Sequence, residues 1–192
     1  MPDSKQLRIL KKLTAHLEAT SGYEGVKVYR GKAIISARDV EDCMSILEAP
    51  RPVIGAPAGH EGHLRREPWT LLLQGWPKDD KDNPSDPAYN MKAAVEQRLS
   101  RIIAVKPSNG QPMYPEEYML GNDIVSLTIG QGVVRPPSEE AASRLAMFYI
   151  PLIIDMVTDV SNPQDKGVLR WKITMSSDVA DSSSVSSHQT LA

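Results

Sequence analysis

The sequence predicts a single α/β domain of the α+β kind, a mixed and mostly antiparallel sheet of about five strands packed against two main helices. Three observations predict it. Residues 5–20 and 86–103 repeat apolar side chains at three- and four-residue spacing, the period of a helix with one buried face. Several shorter stretches alternate or run apolar over strand-sized lengths between proline and glycine signals. Finally, 192 residues, 41% hydrophobic and 24% charged, suffice for one well-filled core and fall short of two full domains.

Ser4 is placed to cap a helix whose apolar positions Leu7, Leu10, Leu13 and Leu17 recur at helical spacing, with Ile9 widening the stripe. Lys5, Arg8, Lys11 and Lys12 fall mostly outside it, and Ser21-Gly22 predicts a stop near Thr20. The period then changes. Val26 and Val28 around Lys27 lead into Tyr29-Arg30-Gly31, a short strand and turn, and Cys43–Glu48 predicts a second strand closed by Pro50 and Pro52. Residues 50–68 carry proline, glycine, histidine and arginine without an apolar pattern, which predicts an exposed loop. Trp69 to Trp76 lies between two prolines, and its nearly continuous apolar character predicts a strand covered on both faces. After the polar turn from Lys78 to Pro84, Asp86 is the expected cap of a second helix, with Pro87 at its first position. Tyr89, Met91, Ala94, Val95, Leu99, Ile102 and Ile103 form its apolar side.

Residues 105–120 hold Pro107, Asn109-Gly110, Pro112 and Pro115, a turn-rich loop with one helical turn expected from Glu116 to Leu120. A strand is predicted from Ile124 to Ile129. Gly130, Gly132 and Pro136-Pro137 interrupt the chain before a long strand from Ala146 to Val157, whose Pro151 requires an edge or a bulge. The domain is expected to span residues 1–163. Residues 164–192 read as a C-terminal arm with a short strand from Val168 to Met175 and a serine-rich, disordered end.

Net charge is −2, which disfavours a dedicated nucleic-acid binder, because phosphate neutralisation needs a clustered cationic excess. The charge is unevenly spread. Residues 1–38 hold eight Lys or Arg against three acids, and residues 116–164 hold seven acids against Arg135 and Arg144, so opposite parts of the fold are expected to present opposite potentials. No apolar run approaches the roughly 18 residues of a membrane span, and MPDSKQLRILKKL lacks the apolar core of a secretory signal, which predicts a soluble, unexported chain. Cys43, the only cysteine, permits no internal disulfide and is expected to be an inert core residue.

The candidate chemistry is sparse. His60-Glu61-Gly62-His63 lacks the i, i+4 spacing of a helix-borne zinc site, although a metal-dependent hydrolase using His60 and His63 is the enzyme reading it leaves open. Asp79, Asp80, Asp82 and Asp86 suggest a calcium loop, but the sixth position from Asp80 is Ser85 and the twelfth is Met91, where glycine and glutamate are required. Gly130-Gln131-Gly132 lacks the third glycine of a dinucleotide site. No nucleophile, base and oxyanion donors assemble in sequence, so no enzyme, metal or cofactor is expected. Trp69 and Trp76 read as core or interface bulk, and Trp171, between Arg170 and Lys172, as a docking anchor.

Taken in order, the helix ending at Thr20, the strand into Val28-Tyr29-Arg30-Gly31-Lys32, and Ser45-Ile46-Leu47-Glu48 resemble the tail terminator (tail completion) proteins of long-tailed bacteriophages. Trp69 to Trp76, followed by Asp79-Asp80, Asn83-Pro84-Ser85-Asp86-Pro87-Ala88-Tyr89 and its helix, looks like that family's central strand and helix. Gly132-Val133-Val134-Arg135-Pro136-Pro137 leading into Ala146 to Asp155 looks like its closing strand. The resemblance covers about residues 5–163. It implies a six-membered ring of identical chains at the head-proximal end of the tail tube, in the neck of a virion assembled in the bacterial cytoplasm. Such a ring stops tube polymerisation and docks the head connector. The implied partners are other copies, the tube protein and a connector or head completion protein, with DNA passing through the lumen and no membrane involved. A head-side completion or adaptor protein is the alternative. Residues expected at subunit or docking interfaces are Lys11, Lys12, Arg30, Arg51, Arg65, Arg66, Asp79, Asp80, Asp82, Arg135 and Trp171, together with loops 50–68 and 105–120.

Overall fold

A computed structural model describes residues 3–33, 42–49, 59–61, 63–78, 80–137 and 145–159, with residues 59–61 described by their backbone alone. Helix α1 (Lys5–Glu18) leads into β1 (Lys27–Arg30) and β2 (Cys43–Glu48); then come β3 (Gly59–Glu61) and β4 (Leu64–Trp76), helix α2 (Asp86–Ser100), β5 (Ser126–Ile129), β6 (Val133–Arg135) and β7 (Met147–Asp159). One mixed sheet runs β1-β2-β4-β7-β5, with β3 also paired to β4 and β6 to β7. Among the described residues only β1 and β2 are parallel; every other pairing is antiparallel. The seven described strands fill five positions across the sheet, around a spine of β4 and β7 that stay in register from Leu64↔Asp159 to Gly75↔Phe148.

Both helices lie on one face. Alternation along the spine places Trp69, Leu71 and Leu73 of β4 and Phe148, Ile150, Leu152, Ile154 and Met156 of β7 on that face, all buried. Ile9, Leu13 and Leu17 of α1 and Met91, Val95 and Leu99 of α2 close over them. Each large side chain fully buried here contributes about 1.5–3 kcal/mol of transfer free energy. No helix of the described residues packs on the other face: Thr70, Leu72 and Gln74 are half-buried, Trp76 is buried and Ile153 of β7 is 44% exposed. Trp69 to Trp76 is therefore covered fully on the helix side and in part on the other. A small second cluster on that outer face buries Cys43 against Trp76, with Tyr29, Leu145 and Met147 beside it, as expected for an inert cysteine.

Ser4 caps α1 as expected, its side-chain oxygen accepting from the Leu7 N–H. The buried stripe is turned slightly from the sequence reading, because Ile9 and His16 lie on it and Leu7 is 36% exposed. In α2, Asp86 is the first helical residue and Ser85 the cap, with no side-chain capping bond, and Tyr89 points outward at 59% exposure. The Asp86 carboxylate still serves the helix start through the macrodipole.

The predicted loop at 50–68 is corrected too. Residues 59–61 form β3, and β4 begins at Leu64, running through Arg65, Arg66, Glu67 and Pro68 before the apolar stretch. These residues read as loop because they extend past the helix layer, where alternation is not enforced. Pro68 is tolerated since it falls in the gap between β3, which reaches Arg66, and β2, which reaches Leu71. Pro151 of β7 similarly falls between β6, which reaches Tyr149, and β5, which starts at Leu152. Its missing N–H is thus met at a break between two short strands. The strand predicted from Ile124 starts instead at Ser126, and the stretch from Gly130 to Pro137, expected to interrupt the chain, holds β6.

Candidate functional site

The densest polar arrangement lies at the seam between the helices. Arg98 of α2 donates from Nε to the His16 carbonyl of α1 at 2.8 Å, and the His16 Nε2–H donates to the Arg98 carbonyl at 2.8 Å. This reciprocal exchange joins residues 82 apart in sequence. The Arg98 guanidinium also donates from Nη1 to both oxygens of Glu117, at 2.9 and 3.2 Å. With Nε2 committed as a donor, the neutral ring leaves Nδ1 bare, 3.8 Å from Glu117 Oε2. Burial pulls the His16 pKa down, and the charges of Arg98 and Arg101 act in the same direction against the raising effects of the Arg98 carbonyl and Glu117.

Beside the seam, the expected helical turn from Glu116 to Leu120 is replaced by a left-handed one. Met119, Leu120, Gly121 and Asn122 have φ of 48°, 52°, 69° and 65°. Gly121 and Asn122 accept that geometry readily, whereas Met119 and Leu120 are strained, at a cost of about 1–2 kcal/mol each. The surroundings over-determine the turn. Leu120 is buried, the Met119 N–H donates to the Ile102 carbonyl, and Lys12 Nζ donates to the Leu120 carbonyl at 2.9 Å. Lys12 also lies 2.6 Å from Oδ2 of the buried Asp123, with Arg8 of the same helix 3.9 Å from its other oxygen.

Among the described residues two apolar surfaces are open. On the sheet face away from α1 and α2, Ile153 and Val133 are exposed, and the Arg135 guanidinium stacks 5.3 Å from the Tyr149 ring centroid. On the loop after α2, Val105, Met113 and Tyr114 are exposed, and Arg101 stacks 5.0 Å from the Tyr114 ring. That loop is held by its own backbone: Lys106 N–H to Gln111 O at 2.7 Å and Met113 N–H to Ala104 O at 2.9 Å. Beyond Asp86 in its first turn, the exposed residues of α2, Tyr89, Asn90, Ala93, Gln97 and Ser100, are uncharged, as interface centres tend to be.

The sequence-predicted docking residues do not converge on one patch. Lys11 is exposed on α1 and pairs with Asp3, whereas Lys12 is spent on Asp123 and Leu120. Arg30 is exposed at the end of edge strand β1, with Lys27 and Lys32 both over the neighbouring Tyr29 ring. Arg65 pairs with Glu67 at 2.7 Å, and Arg66 with Asp155 at 2.6 Å, where the Ser126 hydroxyl also donates. Asp80 accepts from the N–H groups of Asp82 and Asn83, which makes it a turn-forming residue; Asp82 is exposed. Arg51, Asp79 and Trp171 lie outside the described residues, as do the predicted strand 168–175 and the serine-rich end. Among the described residues no three His, Cys, Asp or Glu side chains are grouped to hold a metal ion, and no helix is long and apolar enough to cross a membrane.

Sequence reasoning missed the seam. One signal existed: Arg98 is seven residues after Met91 and three after Val95, a cation on the apolar side of α2.

No protein-family model matches the chain, and no curated protein sequence matches it. Among solved structures the chain is similar to the sheath/tube terminator of an extracellular contractile injection system, PVC, seen by cryo-electron microscopy in the extended state. Identity is 12% and the TM-score 0.40, over 100% of this chain and 67% of the other. A likeness of that degree assigns no role.

Proposed function

We propose that this chain is a structural subunit of a ring, six copies closing at the head-proximal end of a phage tail tube, where the ring stops tube growth and docks the head connector. The observation that supports it is where the family-like phrases fall. Trp69 to Trp76 is the apolar half of the central strand β4, the Asp86 phrase opens the helix packed over it, and Gly132 to Pro137 carries β6 just before β7. These are the elements from which the resemblance expects the body of the domain to be built.

A closed ring of one chain uses two unlike patches, each meeting the other on the next copy. The sheet face away from α1 and α2, around Ile153 and Val133, and the loop surface around Val105, Met113 and Tyr114 are two such unlike apolar patches. Lys11, Arg30, Arg65, Arg66, Asp82 and Arg135 are the charged residues proposed to set register between copies or toward the tube, with Arg51, Asp79 and Trp171 as further contacts. Charge reversal should be made at Lys11 alone, because reversing Lys12 also breaks its internal pairing with Asp123. If Lys11→Glu leaves ring formation unchanged at both low and high salt, the basic face of α1 is not an interface.

The decisive test is electron microscopy of particles assembled by the encoding virus without this chain. Headless tails of uncontrolled length are expected. Tails of normal, uniform length beside filled heads would refute termination and move the chain to the head side of the joint.

A further inference from the structure

His16 is a buried titratable group that the proposed ring does not use. Its side chain is 5% exposed, and it is enclosed from three elements. Helix α2 contributes two cations facing it, Arg98 and Arg101; the loop before the left-handed turn contributes the carboxylate of Glu117; its own helix contributes Lys12 one turn away, already committed to Asp123. Neutral His16 fits this enclosure with one donor, Nε2–H, on the Arg98 carbonyl. A proton added at Nδ1 creates a second buried donor that needs an acceptor, and the carboxylate oxygen in front of it, Glu117 Oε2, is already held by Arg98 Nη1 at 3.2 Å. Protonated His16 and Arg98 then compete for one carboxylate.

We propose that His16 is a proton-operated latch on the α1–α2 seam: the neutral ring holds the seam closed through the exchange with Arg98, and the protonated ring draws Glu117 away from Arg98, loosening the base of the 104–118 loop. Glu117 lies within the segment that anchors this loop, together with the Tyr118 N–H to Tyr114 O bond at 2.9 Å and the Met119 N–H to Ile102 O bond at 2.9 Å. Moving the carboxylate therefore acts on the loop that presents Val105, Met113 and Tyr114. The latch does not depend on what the chain docks onto.

Hydrogen exchange read by mass spectrometry on the full chain at pH 7.5 and 5.5, with exchange times scaled for the chemical rate, tests it. His16→Gln keeps an N–H for the Arg98 carbonyl and takes up no proton. At pH 5.5, one unit below the ordinary histidine value, wild-type peptides covering residues 13–20 and 98–118 are expected to lose up to about tenfold in protection relative to His16→Gln. Peptides from β4 and β7 keep theirs where they exchange through openings that leave the seam closed. Equal loss in both proteins overturns the proposal. Should His16→Gln not fold, nuclear magnetic resonance on wild type decides: a His16 ring signal moving together with Glu117 and Arg98 side-chain signals between pH 7.5 and 5 supports the latch. A ring that titrates without them, or stays neutral with them unmoved, refutes it.

Discussion

Gly75 faces Phe148 across the spine of the sheet, and Met44 flanks it on the other side. A Cβ placed on Gly75 would lie 2.3 Å from both Cε1 and Cζ of the Phe148 ring, far inside van der Waals contact. The ring cannot swing away, since Phe148 is fully buried among the core side chains. Gly75→Ala therefore forces repacking of the largest fully buried side chain. Overpacking of this kind costs about 1–3 kcal/mol, while alanine returns about 0.4–1 kcal/mol by restricting the unfolded chain. A net loss of about 1–2 kcal/mol is expected, a sizeable share of the roughly 5–15 kcal/mol of an ordinary domain. Urea denaturation followed by circular dichroism reads it as a midpoint lowered by about 0.5–1 M at an unchanged slope. Phe148→Leu alone should destabilise by leaving a cavity, but in the Gly75→Ala background it relieves the clash, giving a favourable coupling of at least about 1 kcal/mol. Gly75→Ala within about 0.5 kcal/mol of wild type, or simple additivity of the two changes, would show that the ring does not occupy this space.

Other expectations follow from the seam and the left-handed turn. Arg98→Met strips the His16 carbonyl and Glu117 of their shared donor and should cost about 2–3 kcal/mol in the same denaturation assay; Arg98→Lys should recover little, because a single ammonium cannot span both acceptors. Lys12→Met is expected to cost about 1–3 kcal/mol by leaving Asp123 poorly paired in its buried site, while Lys11→Met, at an exposed pair, should stay within about 0.5 kcal/mol. Gly121→Ala places a Cβ on a residue with φ of 69° and should cost about 1 kcal/mol; a neutral result would mean the turn relaxes to another conformation. Burial and the nearby Asp42 push the Tyr23 pKa up. Stability from this group is therefore complete below about pH 10, where the unfolded phenol begins to ionise, and falls as pH rises further. Thermal unfolding between pH 9 and 11 should show that extra alkaline loss in wild type and not in Tyr23→Phe.

Much of the fold was legible where periodicity and burial coincide. Ile9, Leu13 and Leu17, then Met91, Val95 and Leu99, announce the two helices because one face of each meets the sheet. Cys43–Glu48 was read to its observed bounds for the same reason. Legibility fails where the core stops enforcing a pattern. Arg65 to Pro68 are in a strand yet carry no apolar alternation: Arg65, Arg66 and Pro68 are exposed and Glu67 is half-buried. Val133–Arg135 is three residues long, too short for a period to register. Met119 and Leu120 have no preference for positive φ; only Gly121 and Asn122 hinted at it, and the contacts that impose the turn come from Lys12 and Ile102. Most of the proposed docking residues are charged, and charge alone does not distinguish Lys11, paired with Asp3, from Lys12, bonded to the buried Asp123 and the Leu120 carbonyl.

The uneven lengths of the strands have a mechanical consequence. On one side of the spine β3 ends its pairing at Arg66 of β4, and on the other β5 begins at Asp155 of β7, so among the described residues the level of Glu67 and Met156 is spanned by β4 and β7 alone. Beyond it, residues 64–66 and 157–159 with β3 form a narrow outrigger joined to the body by a waist two strands wide. Two-stranded ribbons twist more freely than wider sheets, so torsion applied at the tip is absorbed at that waist before it reaches Leu71 or Leu152. Lys5 Nζ, donating to the Val157 carbonyl, is a stay from the first turn of α1 to the outrigger. Load on the tip is thereby passed to the helix layer while the sheet interior keeps its register.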